Sequence, residues 1–256
     1  MKEFSFCVSM STIPSRIGKI SEIIDNLNKQ TLKPEKIYLN IPYKYQRFPD
    51  QTINEKDLIK LNYKNLEINR CEDFGPGTKI MGSIEKVRNY DCVILLDDDH
   101  LYDKNMCHFF LKAFEKEQIN YSFYLNKIFK IKMGQCSDGF LMNTKLLDNI
   151  EKFYEKFVKY NKNMFLDDDL WLAIYLQKEK KSSIKNLIEE FRKEFNKKLI
   201  YEQNSNSKKD SLHLTVHKDG LFLNRRKIHK IEYSESLRRF TYENLVTTFS
   251  TSRDFL

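Results

Sequence analysis

Two runs of three consecutive carboxylates hold the chemistry that this sequence can do. The first, Asp97-Asp98-Asp99, is reached directly from the apolar run Cys92-Val93-Ile94-Leu95-Leu96. A short apolar run bounded by polar residues reads as a buried strand of a parallel sheet, and such strands deliver ligand-binding groups at their carboxyl ends. Three adjacent acids repel one another unless a cation neutralises them. Hard divalent cations such as Mg²⁺ or Mn²⁺ take oxygen ligands and share them with a substrate's phosphates. The run therefore reads as a metal-diphosphate platform; the simpler use of such an Asp is to cap the next helix. A calcium loop of the EF-hand kind does not fit, because its sixth and twelfth places would hold Tyr102 and His108 instead of Gly and Glu. The second run, Asp167-Asp168-Asp169, follows Met164-Phe165-Leu166 and leads into a helix from Leu170 to Gln177. Helix capping is the alternative use of its first member.

The elements that must position these acids follow from the hydrophobic pattern. Phe4 to Met10, Lys36 to Ile41 and Leu66 to Arg70 read as strands, with Cys92 to Leu96 as the fourth. Between them, Ile17, Ile20, Ile24 and Leu27 recur at helical spacing, and Ile80, Ile84 and Val87 carry a second helix. Ser11-Thr12-Ile13-Pro14-Ser15-Arg16 makes a tight strand-to-helix turn, and Glu72-Asp73-Phe74-Gly75-Pro76-Gly77-Thr78-Lys79 is a sharply turning loop. Asp103 caps a helix through Met106, Phe110 and Phe114. This alternation of strand and helix is the pattern of a doubly wound α/β sheet.

The second half is less regular. Tyr121 to Leu125, Lys127 to Met133 and Phe140 to Met142 read as strands, with a turn over Gly134 to Gly139. Leu146 to Val158 reads as a helix, and Lys178 to Lys198 as a basic helix with an apolar face of Ile184, Leu187, Ile188, Phe191 and Phe195. Asn204 to Lys209 is a polar stretch expected to be a mobile loop. A last helix is expected around Leu237 to Val246.

Composition narrows the class. The 256 residues are 41% apolar and 13% aromatic, enough for the core of one large α/β domain. A net charge of +8 suits phosphate-bearing ligands or an anionic surface, although mixed-sign Lys-rich surfaces are usually just solvation, and charge alone does not favour nucleic acid. The five cysteines show no CxxC spacing, so neither zinc nor a disulfide framework is expected. With no signal peptide and no apolar run near the ~20 residues that span a bilayer, the expected setting is the cytoplasm, with peripheral membrane contact allowed.

Taken in order, four segments resemble the GT-A class of glycosyltransferases, near glycosyltransferase family 2. The strand-terminal acids match its D-x-D motif. Ser11–Arg16 and Asp73–Lys79 look like its nucleotide-side segments, and Asp168-Asp169-Leu170-Trp171 is similar to its acidic xED segment. The resemblance implies a single GT-A domain, Rossmann-like, with a doubly wound and mainly parallel central sheet flanked by helices. It covers 1–177, divided into a nucleotide-sugar half at 1–102 and an acceptor half at 103–177, with 178–256 as an extension that completes the site. It implies Mn²⁺ or Mg²⁺ on Asp97 and Asp99, with a late histidine, His213 before His217, closing the coordination. Asp98, or Asp97 itself, would hold ribose hydroxyls. Thr12, Pro14, Arg16, Asp73 and Lys79 would meet the nucleotide of a UDP- or GDP-sugar. Asp169, or Asp168 beside it, would be the general base on a glycan, lipid or protein hydroxyl, giving inversion. The family often has Glu where this chain has Asp168, which leaves the choice between the two open.

Three other readings compete. A haloacid-dehalogenase-like phosphatase also ends a strand in D-x-D, but needs a small hydroxylic residue where Leu101 stands. A nucleotidyltransferase of similar fold needs a Gly-rich loop after the first strand, and Ser11–Arg16 has no Gly. A non-catalytic binder would use the basic segment 178–209 on nucleic acid or membrane.

Overall fold

The computed structural model describes residues 4–128, 131–192 and 201–203. Its centre is a seven-stranded sheet. β1 (Phe6–Ser11), β2 (Lys36–Pro42), β3 (Leu66–Cys71) and β4 (Cys92–Leu96) run parallel, with β1 between β2 and β4 and β3 outside β2. In register, Val8 faces Ile37 on one side and Ile94 on the other. Beyond β4 the sheet continues with Phe140–Asn143, antiparallel to β4, then Asn120–Ser122, then Ile184–Asn186 at the edge. A mainly parallel sheet flanked by helices is the architecture expected from the sequence.

Alternation along the strands sends side chains to two cores. Val8, Ile94 and Leu96 pack with Ile20, Ile23, Ile24 and Leu27 of the helix Ile20–Asn28 and with Phe110 and Phe114 of the helix Met106–Lys116. Both helices bury residues at i, i+3, i+4 and i+7 spacing, which is why they form where the periodicity puts them. On the opposite face Cys7, Val93 and Leu95 pack with Ile80, Val87, Phe153 and Trp171.

The departures from expectation cluster where tertiary contacts override local pattern. The helix through Ile80, Ile84 and Val87 is broken into Thr78–Met81 and Ile84–Val87. The break sits at Gly82, where a Cβ would lie 2.7 Å from Cβ of Asn40 on β2. The helix expected over Leu146–Val158 is instead a short α segment, Ile150–Phe153, followed by a π-helical turn, Tyr154–Val158. Asn120–Ser122 joins the sheet, while Leu125–Ile128 and Ile131–Gly134 form a separate hairpin.

The basic helix expected over 178–198 is the clearest correction. Ile184–Asn186 is a strand paired parallel to Asn120–Ser122, and among the described residues of that span helix is confined to the end of a π-helical turn, Tyr175–Glu179, and to Leu187–Glu190, where the Asn186 side chain accepts from Glu189 N at 3.1 Å. The sheet edge explains it. Asn120 donates to Ser182 Oγ at 3.1 Å and to the Ser183 carbonyl at 3.2 Å, and Ile184 is buried beside it. A helical reading of the same apolar residues has no access to that edge. Residues 193–198, the polar stretch at 204–209, His213, His217 and the last helix around 237–246 lie outside the described residues. Tyr201–Gln203 pairs antiparallel with a strand that was not anticipated, His100–Tyr102. Among the described residues no helix is long and apolar enough to cross a membrane.

Candidate active site

Because β1 and β4 are parallel neighbours, their carboxyl ends open on the same edge of the sheet. The turn after β1, closed by Arg16 N donating to the Ile13 carbonyl at 2.9 Å, therefore meets Asp97-Asp98-Asp99. The Thr12 hydroxyl donates to Asp98 Oδ2 at 2.6 Å. The Arg16 guanidinium, itself buried, reaches Asp98 Oδ1 at 2.5 Å and Asp99 Oδ2 at 3.1 Å. His100 Nδ1 lies 2.8 Å from Asp99 Oδ1.

The environments of the three acids differ. Burial pushes the Asp98 carboxyl above the usual carboxylate range against the pull of Arg16. Burial would do the same to Asp99, but its hydrogen bond with His100 and the nearby Arg16 charge outweigh it and hold Asp99 below that range. Burial alone would lower His100, and its bond to Asp99 raises it instead. Asp97 is the open member, its side chain 33% exposed, and it is paired with Lys79.

Lys79 joins the two acid runs. It is 3% exposed, with its ammonium paired with Asp97 and 3.0 Å from Asp168 Oδ2. Burial would strip its proton, but Asp168 and Asp97 together hold the group well above its ordinary value. Its position is fixed through the backbone: Ser9 Oγ donates to the Lys79 carbonyl at 2.5 Å and the Asn40 amide does so at 3.2 Å.

In the second run each acid has a different task. Asp167 caps the helix Asp168–Ile174, accepting from Leu170 N at 3.3 Å. Asp168 is buried, and its Oδ2 meets Lys79 as an ion pair without a well-formed hydrogen bond. Asp169 Oδ1 accepts from Cys136 N at 2.9 Å. Burial of its carboxyl, and then the neighbouring Asp168 charge, push Asp169 up to about 8.

Asp73 accepts from Gln46 N at 2.6 Å and Gly75 N at 2.9 Å, so it braces two loops from the cleft wall. Gly75 has φ +61°, and a Cβ there would lie 2.4 Å from the Phe165 carbonyl oxygen, so the loop needs glycine at this point. The cleft between these groups measures about 430 Å³. It brings together Thr12, Arg16, Asp73, Lys79 and both acid runs. Pro14 is in the turn behind the cleft and is not among its lining residues. Sequence reasoning gave no role to several other lining residues, among them Tyr45, His100, Gln135 and Ser137. His100 directly follows the acids and was the findable one. Ser137 and the adjacent Cys136 arrive only through tertiary folding.

No family model and no curated protein matches the sequence. Solved structures do. TarS 1-349 of S. aureus superposes with a TM-score of 0.50 at 14% identity, covering 97% of this chain and 73% of that one. TarS 1-349 in complex with UDP gives a TM-score of 0.50 at 13% identity, over 91% and 75% of the two chains. A cytidylyltransferase from Leptospira borgpetersenii gives 0.48 at 11% identity, over 92% and 96%. The chain has a GT-A, Rossmann-like fold.

The donors present fit the divalent ion that this resemblance implies. Asp97 presents a carboxylate to the cleft, and Asp168 Oδ2 faces it across the Lys79 ammonium. One oxygen each from Asp168 and Asp169 also lies within 4.8 Å of Cys136 Sγ. Oxygen donors of this kind suit Mg²⁺ or Mn²⁺. Both oxygens of Asp99 already face Arg16 and His100.

Proposed function

We propose that the protein transfers a sugar from a UDP- or GDP-linked donor to a hydroxyl of a glycan, lipid or protein, with divalent-ion assistance and inversion at the anomeric carbon. The observation that carries this reading is the Lys79 ammonium held between Asp97 and Asp168, which ties both acid runs into one cleft. Separate helix caps have no need of a shared, buried cation.

In this reading the donor's diphosphate enters over Arg16 and Lys79, and the nucleoside lies against the Thr12–Arg16 turn and the wall braced by Asp73. Asp98 holds Thr12 and Arg16 in place for it. Asp97, with Asp168 beside it, would hold the divalent ion, whose charge would offset that developing on the departing diphosphate. The acceptor oxygen attacks the anomeric carbon as the bond from that carbon to the diphosphate oxygen breaks. The nucleoside diphosphate leaves with the bonding electrons, and Asp169 takes the acceptor's proton. One displacement inverts the centre. The pairing of Gln203 with His100 sets the end of the described residues beside the first acid run, which supports a role for 178–256 in completing the site.

A thermal-shift series with UDP, GDP and their sugar conjugates, with and without Mn²⁺, tests the reading. A ligand that binds the native state alone raises the melting temperature by mass action. One nucleoside diphosphate should do so, more strongly with Mn²⁺. No shift with any of them overturns the reading.

A further inference from the structure

The two sides of the cleft are joined by one phenol. Tyr102, 2% exposed, lies five residues after Asp97 and turns its hydroxyl back under the acid run. The oxygen accepts from Asp97 N at 3.2 Å. Its single proton faces two carbonyls, those of Asp97 and Ser137, each at 3.2 Å. Ser137 follows Cys136, whose N–H donates to Asp169 Oδ1 at 2.9 Å. A continuous path therefore runs from the backbone of Asp97 through one hydroxyl to the turn Cys136–Asp138 and on to the Asp169 carboxyl.

The ring is held from the other side as well. The Asn26 side chain donates to the Tyr102 carbonyl at 2.9 Å and accepts from Tyr102 N at 2.9 Å, pinning both backbone groups to the helix Ile20–Asn28. Cys136–Asp138 is a single 3₁₀ turn set one residue from a strand on either side, Ile131–Gly134 and Phe140–Asn143. In a buried setting an unmade hydrogen bond is costly, so the hydroxyl selects the one spacing that satisfies both carbonyls.

We infer that Tyr102 is a positioning residue: its hydroxyl sets the separation between Asp97 on the leaving-group side and Asp169 on the acceptor side. The roles of those two acids rest on the reading above, whereas the spacing itself does not. Such a part is needed because displacement of reacting groups by about 1 Å costs on the order of 10²-fold in rate.

Tyr102→Phe keeps the ring and deletes the hydroxyl. The measurement is amide hydrogen exchange by NMR, read at Cys136 and at Ile94 in β4. Protection at Cys136 should fall ~10-fold or more, well beyond any fall at Ile94, since exchange reports local opening separately from global stability. A merely structural tyrosine would lower protection throughout or nowhere. Unchanged protection at Cys136 in the folded variant overturns the inference. If Tyr102→Phe does not fold, Asn26→Ala is read in its place. It frees the Tyr102 backbone and leaves the hydroxyl, so Cys136 should again lose protection, and unchanged protection is again decisive against. UDP binding by the wild-type protein tests the reading of the cleft independently, so failure of one is distinguishable from failure of the other.

Discussion

Asp97-Asp98-Asp99 and Asp167-Asp168-Asp169 are the same tripeptide in two electrostatic settings. The first ends a strand, and the fold brings it a guanidinium, an ammonium and an imidazole: Arg16 on Asp98 and Asp99, Lys79 on Asp97, His100 on Asp99. The second begins a helix, and Lys79 reaches it from the far side, on Asp168. Asp169 is left with a backbone N–H from Cys136. A helix N-terminus favours negative charge in its first turn, yet burial and the Asp168 charge outweigh it and lift Asp169 to about 8. Asp99 is held low by its hydrogen bond with His100 and the nearby Arg16 charge, against burial. Burial raises each of these carboxyls, and the outcome turns on whether the cations in contact outweigh it: at Asp99 His100 and Arg16 do, at Asp98 Arg16 does not, and at Asp169 the nearby Lys79 charge does not.

The largest expected effect breaks the comparison at its most distinct member. Asp169→Asn should cut kcat by ~10²–10⁴-fold, the usual loss for a general base. Nucleoside-diphosphate affinity, measured by calorimetry, should stay near wild type, because the donor side is untouched. Asp168→Asn is the control. If it is the dead variant while Asp169→Asn is active, the base is Asp168; if both are fully active, the second run is a cap and no more.

Next in size is the opposite experiment on the first run. Asp98→Asn leaves Arg16 buried without its nearest counter-charge, and breaking a buried pair costs about 3–5 kcal/mol. Urea unfolding should show that loss in a protein whose Asp169 chemistry is unaltered. A variant as stable as wild type would mean that Arg16 is satisfied by Asp99 alone.

Protonation gives a smaller, signed effect. In the folded chain Asp169 keeps its proton up to about 8, whereas an ordinary Asp releases it near 3.8. Between those values the folded state binds the extra proton, so this group's contribution to stability is present at low pH and is lost as pH rises through that window. With chelator present, wild type should lose stability relative to Asp169→Asn as pH rises from 5 to 8, by at most ~1.4 kcal/mol per pH unit. Parallel pH profiles for the two proteins would place the raised carboxyl elsewhere.

The first acid run was legible because each signal for it was local. A turn with Pro14, a loop with two glycines, an apolar run and then acids sit in order along 11–99, and β1 to β4 formed where the hydrophobic pattern put them. What the sequence could not supply was the source of neutralising charge. It suggested a metal as the cation that three acids need, and the fold also supplies Arg16 and Lys79 from 81 and 18 residues before Asp97. The second half was harder for the same reason in stronger form. Ile184 and Leu187 fit a helical face, but the exposed edge at Asn120 draws Ile184–Asn186 into the sheet. The turn carrying Cys136 has no spacing signal, because its partner Asp169 lies 33 residues on. Non-local pairing of this kind is absent from hydrophobic periodicity.

The smallest effect tests whether the second run divides its labour as described. Asp167 is the cap of the helix Asp168–Ile174: its carbonyl accepts from Trp171 N at 3.2 Å and its side chain from Leu170 N at 3.3 Å. Replacing an Asp cap by Ala costs about 1 kcal/mol, while Ser or Asn in the same place costs little. Asp167→Ala should therefore lower stability by ~1 kcal/mol in urea unfolding, and Asp167→Asn should restore it. The charge is absent in both variants, so a difference between them isolates the hydrogen bond from electrostatics. Because the cap steadies the turn that carries Asp168 and Asp169, kcat should follow stability, slightly reduced in Asp167→Ala and near wild type in Asp167→Asn. If Asp167→Asn loses activity as heavily as Asp169→Asn, the charge of Asp167 belongs to the chemistry, and the three acids of the second run act as a set in the way the first three do.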